Sequence, residues 1–341
     1  MNIRVGVIGT GIMGADHVTT LHRQISGAAV SMVADVDLAR AQGIGDGIAG
    51  ARATADGFAL IADPEVDAVV IASHDSTHAG LAIAAVRAGK PVLCEKPLAP
   101  TVAECLHVVR AELDAIGPGG SPLVSLGFMR RFDPGYVQLK AALDAGEGGA
   151  PLLLHCISRG VGSAPGASNE SSVTGSAIHE FDALPWLLGS PIVEVSWHAP
   201  RCSSAAIGLQ DPQLLLLRTA DGALSTVEVF LNARYGYDVR CEIVCETGTL
   251  ALTEPLRMVR DSARQRAIEY PADWRPRFAD AYRLELQAWI DGITGGQPSA
   301  DMASAHDGLV AGAVAEAVIR SMRDGGRTVA VELPSIVATA F

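Results

Sequence analysis

The sequence predicts two α/β domains in series: a parallel sheet covered by helices on both faces, then a larger, mostly antiparallel sheet with one open face. Three observations lead there. The first third alternates short apolar, β-branched runs with helical patterns, the pattern of repeated β-α-β units. After about residue 125 the strand-like segments become longer and amphipathic. A chain of 341 residues, 49% hydrophobic and 19% charged, exceeds one ordinary core and excludes a disordered polymer. The expected domains are residues 1–124 and 125–341.

Ile3–Ile8 is the first strand, followed by a Gly-rich turn and a helix through Leu21 and Ile25. Ala29–Ala34 is the second. Asp67–Ala72 is an uninterrupted apolar strand, as expected where both faces of a sheet are covered. An Ala-rich helix over Ala79–Ala88, a strand at Pro91–Cys94, a helix from Thr101 and a strand at Leu123–Phe128 follow. The Thr101 hydroxyl can cap its helix, with Glu104 three residues on. Beyond residue 125, strands are expected at Pro151–Ser158, Val193–His198, Leu214–Thr219, Ser225–Asn232, Cys241–Cys245 and Thr249–Leu252. Asp221-Gly222 joins two of them as a hairpin turn. Helices are expected at Ala177–Leu188, Phe278–Thr294 and Ala305–Arg323, and loops at Gly160–Ser172 and Arg257–Pro276.

Composition narrows the function. The net charge is −12 and no Lys/Arg run offers a stripe for phosphates, which argues against nucleic acid. No apolar stretch approaches the roughly 20 residues of a membrane span. Residues 1–8 run straight into a strand, so a soluble, cytoplasmic protein is expected. The six cysteines form no C-x-x-C pair and are expected to be reduced and buried. No Cys/His set has zinc-ligand spacing, which disfavours a zinc alcohol dehydrogenase.

Gly9-Thr10-Gly11-Ile12-Met13-Gly14 has G-x-G-x-x-G spacing, follows a strand and opens a helix. The first Gly permits the tight turn, the second lets backbone approach a pyrophosphate, and the third lets the helix pack on the strand. The helix N-terminus adds unpaired N–H groups and partial positive charge. Asp35 ends the second strand, 21 residues after Gly14. A carboxylate there accepts hydrogen bonds from ribose hydroxyls and repels a 2′-phosphate, and no Arg or Lys comes before Arg40, which favours NAD over NADP.

Cys94-Glu95-Lys96-Pro97-Leu98-Ala99 follows a strand of the same domain. With the glycine fingerprint it resembles the Glu-Lys-Pro signature of the Gfo/Idh/MocA oxidoreductases. The resemblance continues in Gly127–Tyr136, His179–Asp182 and Tyr235–Asp238, spans almost the whole chain, and is strongest toward the inositol 2-dehydrogenase branch. It implies a Rossmann domain and a second α/β domain whose open sheet face mediates tetramer formation, so a homotetramer is expected. It also implies NAD as cofactor and a polyol or sugar as substrate. NAD is expected against Gly9, Gly11, Ile12, Met13, Gly14 and Asp35, with Ser73, His78, Glu95 and Lys96 further along. Lys96 is the residue expected to stabilise the alkoxide, since an ammonium beside a secondary alcohol offsets developing negative charge. His179 is the expected base, with an ordinary pKa of about 6.5 suited to proton transfer near neutrality. Met129, Arg130, His155 and Tyr237 match positions that line the cofactor–substrate cleft of inositol dehydrogenases.

The match breaks one helical turn before the histidine. Related dehydrogenases place an Asp there, which orients the imidazole and binds a substrate hydroxyl; here the residue is Gly175. Pro185 is expected to start or kink its helix. The loop Arg159–Gly166 also lacks the polar side chains expected around a cyclitol. Three readings follow: a different, bulkier polyol or glycoside fills the gap; the protein is an inositol dehydrogenase of reduced activity; or it binds NAD and a sugar as a sensor without turnover.

Overall fold

A computed structural model of the protein describes residues 2–253 and 258–335. The chain begins β1 (Ile3–Ile8), α1 (Ile12–Gln24), β2 (Ala28–Ala34), α2 (Leu38–Gly45), β3 (Arg52–Thr54) and α3 (Gly57–Ala62). It continues β4 (Ala68–Ile71), α4 (His78–Arg87), β5 (Val92–Glu95), α5 (Val102–Ile116) and β6 (Val124–Gly127). A 3-10 turn, Met129–Phe132, leads to α6 (Pro134–Asp144), β7 (Pro151–Arg159) and α7 (Asn169–Ser172). Next come a π-helical turn (Val173–Ala177), α8 (Ile178–Leu188), β8 (Ile192–His198), β9 (Gln213–Thr219) and β10 (Leu224–Phe230). The remainder is β11 (Asp238–Cys245), β12 (Thr249–Ala251), β13 (Val259–Ser262), β14 (Gln265–Ile268), α9 (Trp274–Gly295), β15 (Ala303–Ser304), α10 (Ala305–Arg323) and β16 (Val329–Ala330).

Contacts divide the chain into two compact units, and the division is not the sequential one expected at residues 124 and 125. Among the described residues, one unit joins the chain up to Phe132 to Asp280–Gly312; the other is Asp133–Ala279 with Ala313–Leu333. The physical reason lies in the first core. Leu286, Trp289 and Ile290 of α9 are buried in one cluster with Val18 and Leu21 of α1 and Val5, Val30, Val70 and Leu93 of the sheet. A parallel sheet needs cover on both faces, and a helix from late in the chain supplies part of it. Each such side chain contributes roughly 1.5–3 kcal/mol through burial. The sheet of this unit has the order β3-β2-β1-β4-β5-β6, all parallel, with β15 added antiparallel on β6. That is the doubly wound dinucleotide-binding order. β4, β5 and β6 are buried at every residue. Thr101 caps α5 through its hydroxyl, which accepts the Glu104 N–H at 3.2 Å.

The second unit holds a seven-stranded sheet, β12-β11-β7-β10-β9-β8-β16, antiparallel at every pairing except β7 with β10. Leu154, Cys156 and Ser158 of β7 are buried, while Leu153, His155 and Ile157 alternate to a more accessible face. The same alternation leaves Leu214, Leu216, Leu224 and Phe230 half-buried. β9 and β10 form the expected hairpin, with Gly222 at φ +96 supplying the left-handed turn position.

Several expectations need correction. The loop expected over Gly160–Ser172 ends in α7, capped by Ser168, whose hydroxyl accepts the Ser171 N–H at 3.0 Å. The loop expected over Arg257–Pro276 contains the β13–β14 hairpin and the start of α9; its first residue, Arg257, lies outside the described residues. α9 begins four residues before the expected Phe278, which is itself a non-helical kink (φ −113, ψ 17). Pro185 does not begin a helix: α8 continues through it to Leu188 and stops at Gly189, which adopts the left-handed conformation. Of the six cysteines, all free, Cys202 is exposed rather than buried. Among the described residues no helix is long and apolar enough to cross a membrane.

Candidate active site

In the first unit the carboxyl ends of β1, β2 and β4 open onto a groove of about 840 Å³. Gly9, Gly11, Ile12, Met13, Asp35 and Ser73 all line it, as expected from the sequence. Gly9 sits at φ +88, and a Cβ there would lie 2.4 Å from the Ser73 nitrogen. A Cβ on Gly14 would lie 1.8 Å from the Gly9 carbonyl oxygen, so this residue packs beneath the turn. Gly11 faces open space, with no atom within 4 Å of a Cβ built on it. α1 starts at this glycine with no side-chain cap and no acidic residue in its first turn. Its first N–H groups are left for a ligand, and their charge favours an anion. The glycine turn, uncapped helix and elongated groove fit a dinucleotide.

Asp35 forms the far wall. Its Oδ2 accepts the Thr10 N–H at 2.7 Å and the Thr10 hydroxyl at 2.9 Å; its Oδ1 accepts the Asp37 N–H at 2.9 Å and Arg40 Nη2 at 2.7 Å. Burial pushes this carboxyl up, but the hydrogen bonds from Arg40, Thr10 and Asp37 outweigh it and hold the pKa at about 2. Arg40 also lines the groove. Its involvement was not legible in the sequence, because the strand-end carboxylate and a helical residue five positions on meet only once α2 folds.

At the end of β5, Glu95 is buried and its Oε1 lies 2.9 Å from His17 Nε2 on α1. Its Oε2 accepts the Lys96 N–H at 3.2 Å. A Cβ on Gly127 would come within 3.3 Å of this carboxylate, so glycine permits the close approach of β6. Burial pushes the Glu95 carboxyl up, and His17 more than offsets it, leaving a carboxylate below its usual range. Lys96 is half-buried. Desolvation pushes its ammonium below the ordinary lysine range, Glu95 and Asp75 draw it back up, and the Arg130 guanidinium pushes it down. Met129 and Arg130, in the turn after β6, are both 1% exposed. Sequence reasoning missed His17; its place on the buried face of α1 gave no sign of the partner 78 residues away.

His78 is not among the residues lining the groove, and neither are Gly14, Glu95 and Lys96. His78 opens α4 as a buried side chain, with Nδ1 2.7 Å from the Pro97 carbonyl oxygen and Nε2 3.1 Å from that of Ser73. The ring ties the β4 end to the Lys96–Pro97 segment, and the neighbouring His74 and Thr77 face the groove instead.

In the second unit His179 lies in the first turn of α8 and is 8% exposed. A π-helical turn precedes it, with the Ile178 N–H donating to the Val173 carbonyl. Such widened turns are frequent at functional sites. The Thr174 hydroxyl donates back to the Glu170 carbonyl at 3.3 Å. Gly175 is exposed, and a Cβ on it would meet no atom within 4 Å. Tyr237 is half-buried, edge-on to Phe278 at 6.3 Å between ring centres. Strand alternation places His155 on the exposed face of the sheet, where Nδ1 lies 2.9 Å from the Thr226 hydroxyl. A strand of period two cannot also present it on the buried face.

Comparison with known proteins is consistent across the chain. Residues 3–115 match the oxidoreductase family with an NAD-binding Rossmann fold, and residues 136–251 match the GFO/IDH/MocA C-terminal domain. Inositol 2-dehydrogenase 2 of Paenarthrobacter aurescens is 54% identical over 334 residues, covering 97% of this chain and 99% of the relative. Inositol 2-dehydrogenase 1 of Saccharopolyspora erythraea is 50% identical, covering 95% of each. The crystal structure of myo-inositol dehydrogenase from Lactobacillus casei, in complex with NAD(H) and myo-inositol, superimposes with a TM-score of 0.92 at 34% identity. It covers 98% of both chains.

Proposed function

Because the chain belongs to the Gfo/Idh/MocA oxidoreductase family, we propose that it oxidises a secondary hydroxyl of a cyclitol or a related sugar or glycoside. It is an NAD-dependent oxidoreductase acting on CH–OH groups. The observation that carries the substrate reading is near-full-length identity to inositol 2-dehydrogenases, together with retention of both Lys96 and His179.

NAD, when bound, supplies the hydride acceptor. The Gly9–Gly14 turn and the α1 N-terminus would hold its pyrophosphate, and Asp35 its adenosine ribose. His179 accepts the hydroxyl proton at its imidazole. Lys96 donates to the same oxygen as negative charge develops there. Its desolvation strengthens that contact, since a charge in a poorly solvated site acts over less screening. Met129, Arg130, His155 and Tyr237 are the proposed substrate neighbours. Turnover is favoured over a sensor role because both reacting-group residues remain. The accessible face of the second sheet, with Leu214, Leu216, Leu224 and Phe230 half-buried on it, supports a homotetramer, and the composition a cytoplasmic enzyme.

Gly175 leaves room where an inositol-type carboxylate would stand, which supports a bulkier substrate or weaker activity on inositol itself. The test is NAD reduction against cyclitols, aldoses and aminoglycosides. Turnover of at least one is expected; tight sugar binding with no reduction across the panel would replace the enzyme reading by the sensor one.

A further inference from the structure

All the hydrogen-bonding positions of the Asp35 carboxylate are taken. A carboxylate offers about four lone-pair sites, and Thr10 N–H, Thr10 Oγ1, Asp37 N–H and Arg40 Nη2 occupy them at 2.7–2.9 Å. A ribose hydroxyl can bind Asp35 only if one donor leaves. Two donors are backbone N–H groups, and the third belongs to Thr10, which is 2% exposed. Arg40 is the displaceable one: its side chain is 48% exposed, stands on a flexible stem and lines the groove. Once displaced, its guanidinium stays at the groove mouth, with the planar fork that matches a phosphate.

We propose that Arg40 is a swinging specificity residue: it competes with the adenosine ribose of NAD for Asp35 and pairs with the 2′-phosphate of NADP, so the groove admits both cofactors. This rests on reading Asp35 as the ribose carboxylate. It also amends the expectation that the absence of a basic residue before position 40 favours NAD over NADP. Asp35 still repels a 2′-phosphate, and the paired Arg40 offsets part of that repulsion.

The test measures kcat/KM with NAD and with NADP for the full chain and for Arg40→Gln, using whichever polyol the protein turns over. The unmodified chain should show measurable turnover with NADP. Arg40→Gln should lower the NADP value by at least about tenfold, the loss of a charge-assisted phosphate contact. It should raise the NAD value roughly two- to fivefold, as expected for removing a half-exposed ion pair that competes with the ribose. A fall with NADP no larger than the change with NAD overturns the proposal, as does a complete lack of NADP turnover in the unmodified chain. Asp35→Ser separates the two ideas. If it leaves the NAD value unchanged, the ribose reading of Asp35 fails, whereas the response of NADP to Arg40→Gln reports on the guanidinium alone.

Discussion

The glycine turn after β1 and the turn before His179 are both places where glycine replaces a side chain, with opposite consequences. At Gly9 and Gly14 a Cβ would collide with backbone at 2.4 and 1.8 Å. The ligand contacts proposed there come from N–H groups, which a side chain at these positions would obstruct. At Gly175 a Cβ meets nothing within 4 Å. Glycine there is not required by space, and its effect is to remove a functional group. A site built from backbone survives most changes around it, because every residue but proline carries the same donor. A site built from side chains loses its chemistry at a single position.

The largest expected effect tests the side-chain half of that contrast. Lys96→Ala should lower kcat by about 10²-fold or more, the scale for losing a donor aimed at developing charge, yet leave NAD affinity nearly intact by fluorescence titration. A matching loss of NAD affinity would mean that Lys96 holds the cofactor rather than the reacting oxygen. His179→Ala should cost about 10²–10⁴-fold near neutral pH and less at alkaline pH, where solvent takes the proton. A deficit that does not vary with pH would assign His179 a packing role.

Gly175→Asp comes next. A Cβ at this position meets no neighbouring side chain within 4 Å. The added carboxylate should orient the imidazole and accept a substrate hydroxyl, raising kcat/KM for myo-inositol by at least about tenfold. On a bulkier native substrate the same change should cost activity. No gain, in a variant that folds and binds NAD, would show that the pocket was remodelled beyond this residue, including the glycine-rich segment from Arg159.

The smallest effect concerns the groove wall. Burial raises the Asp35 pKa, hydrogen bonds from Arg40, Thr10 and Asp37 lower it by more, and the folded value is about 2. A depressed carboxylate stabilises the fold above its unfolded pKa of about 3.9, and that contribution is lost as pH falls toward 2. The loss should be about 2 kcal/mol and appear as reduced urea resistance between pH 4 and the folded pKa of about 2. Asp35→Asn should flatten that dependence; an unchanged slope would mean that the carboxylate is equally favoured in the unfolded chain.

Much of both units was legible from local pattern. β1 and α10 have the expected bounds, and the Thr101 cap and the Asp221-Gly222 hairpin were visible in short words of sequence. The groove-lining glycines, Asp35 and Ser73 are legible in the sequence, because fingerprint spacing and strand ends are short-range properties. Small elements were not seen: β3, α7 and each strand of the β13–β14 hairpin are three to four residues long, too short for a period to emerge.

What the sequence determined by itself was the order of the elements, the phosphate turn and the residue types available for chemistry, since each depends on neighbours within about one helical turn or one strand. Tertiary structure decided the rest. The return of α9 to cover the first sheet, His17 against Glu95, His78 pinned between two carbonyls and His155 turned to the exposed face all depend on residues far apart in the chain. Even Arg40, only five residues from Asp35, meets it because α2 folds back over the strand end. Burial and hydrogen-bond partners are properties of the packed whole, and no local window of sequence contains them.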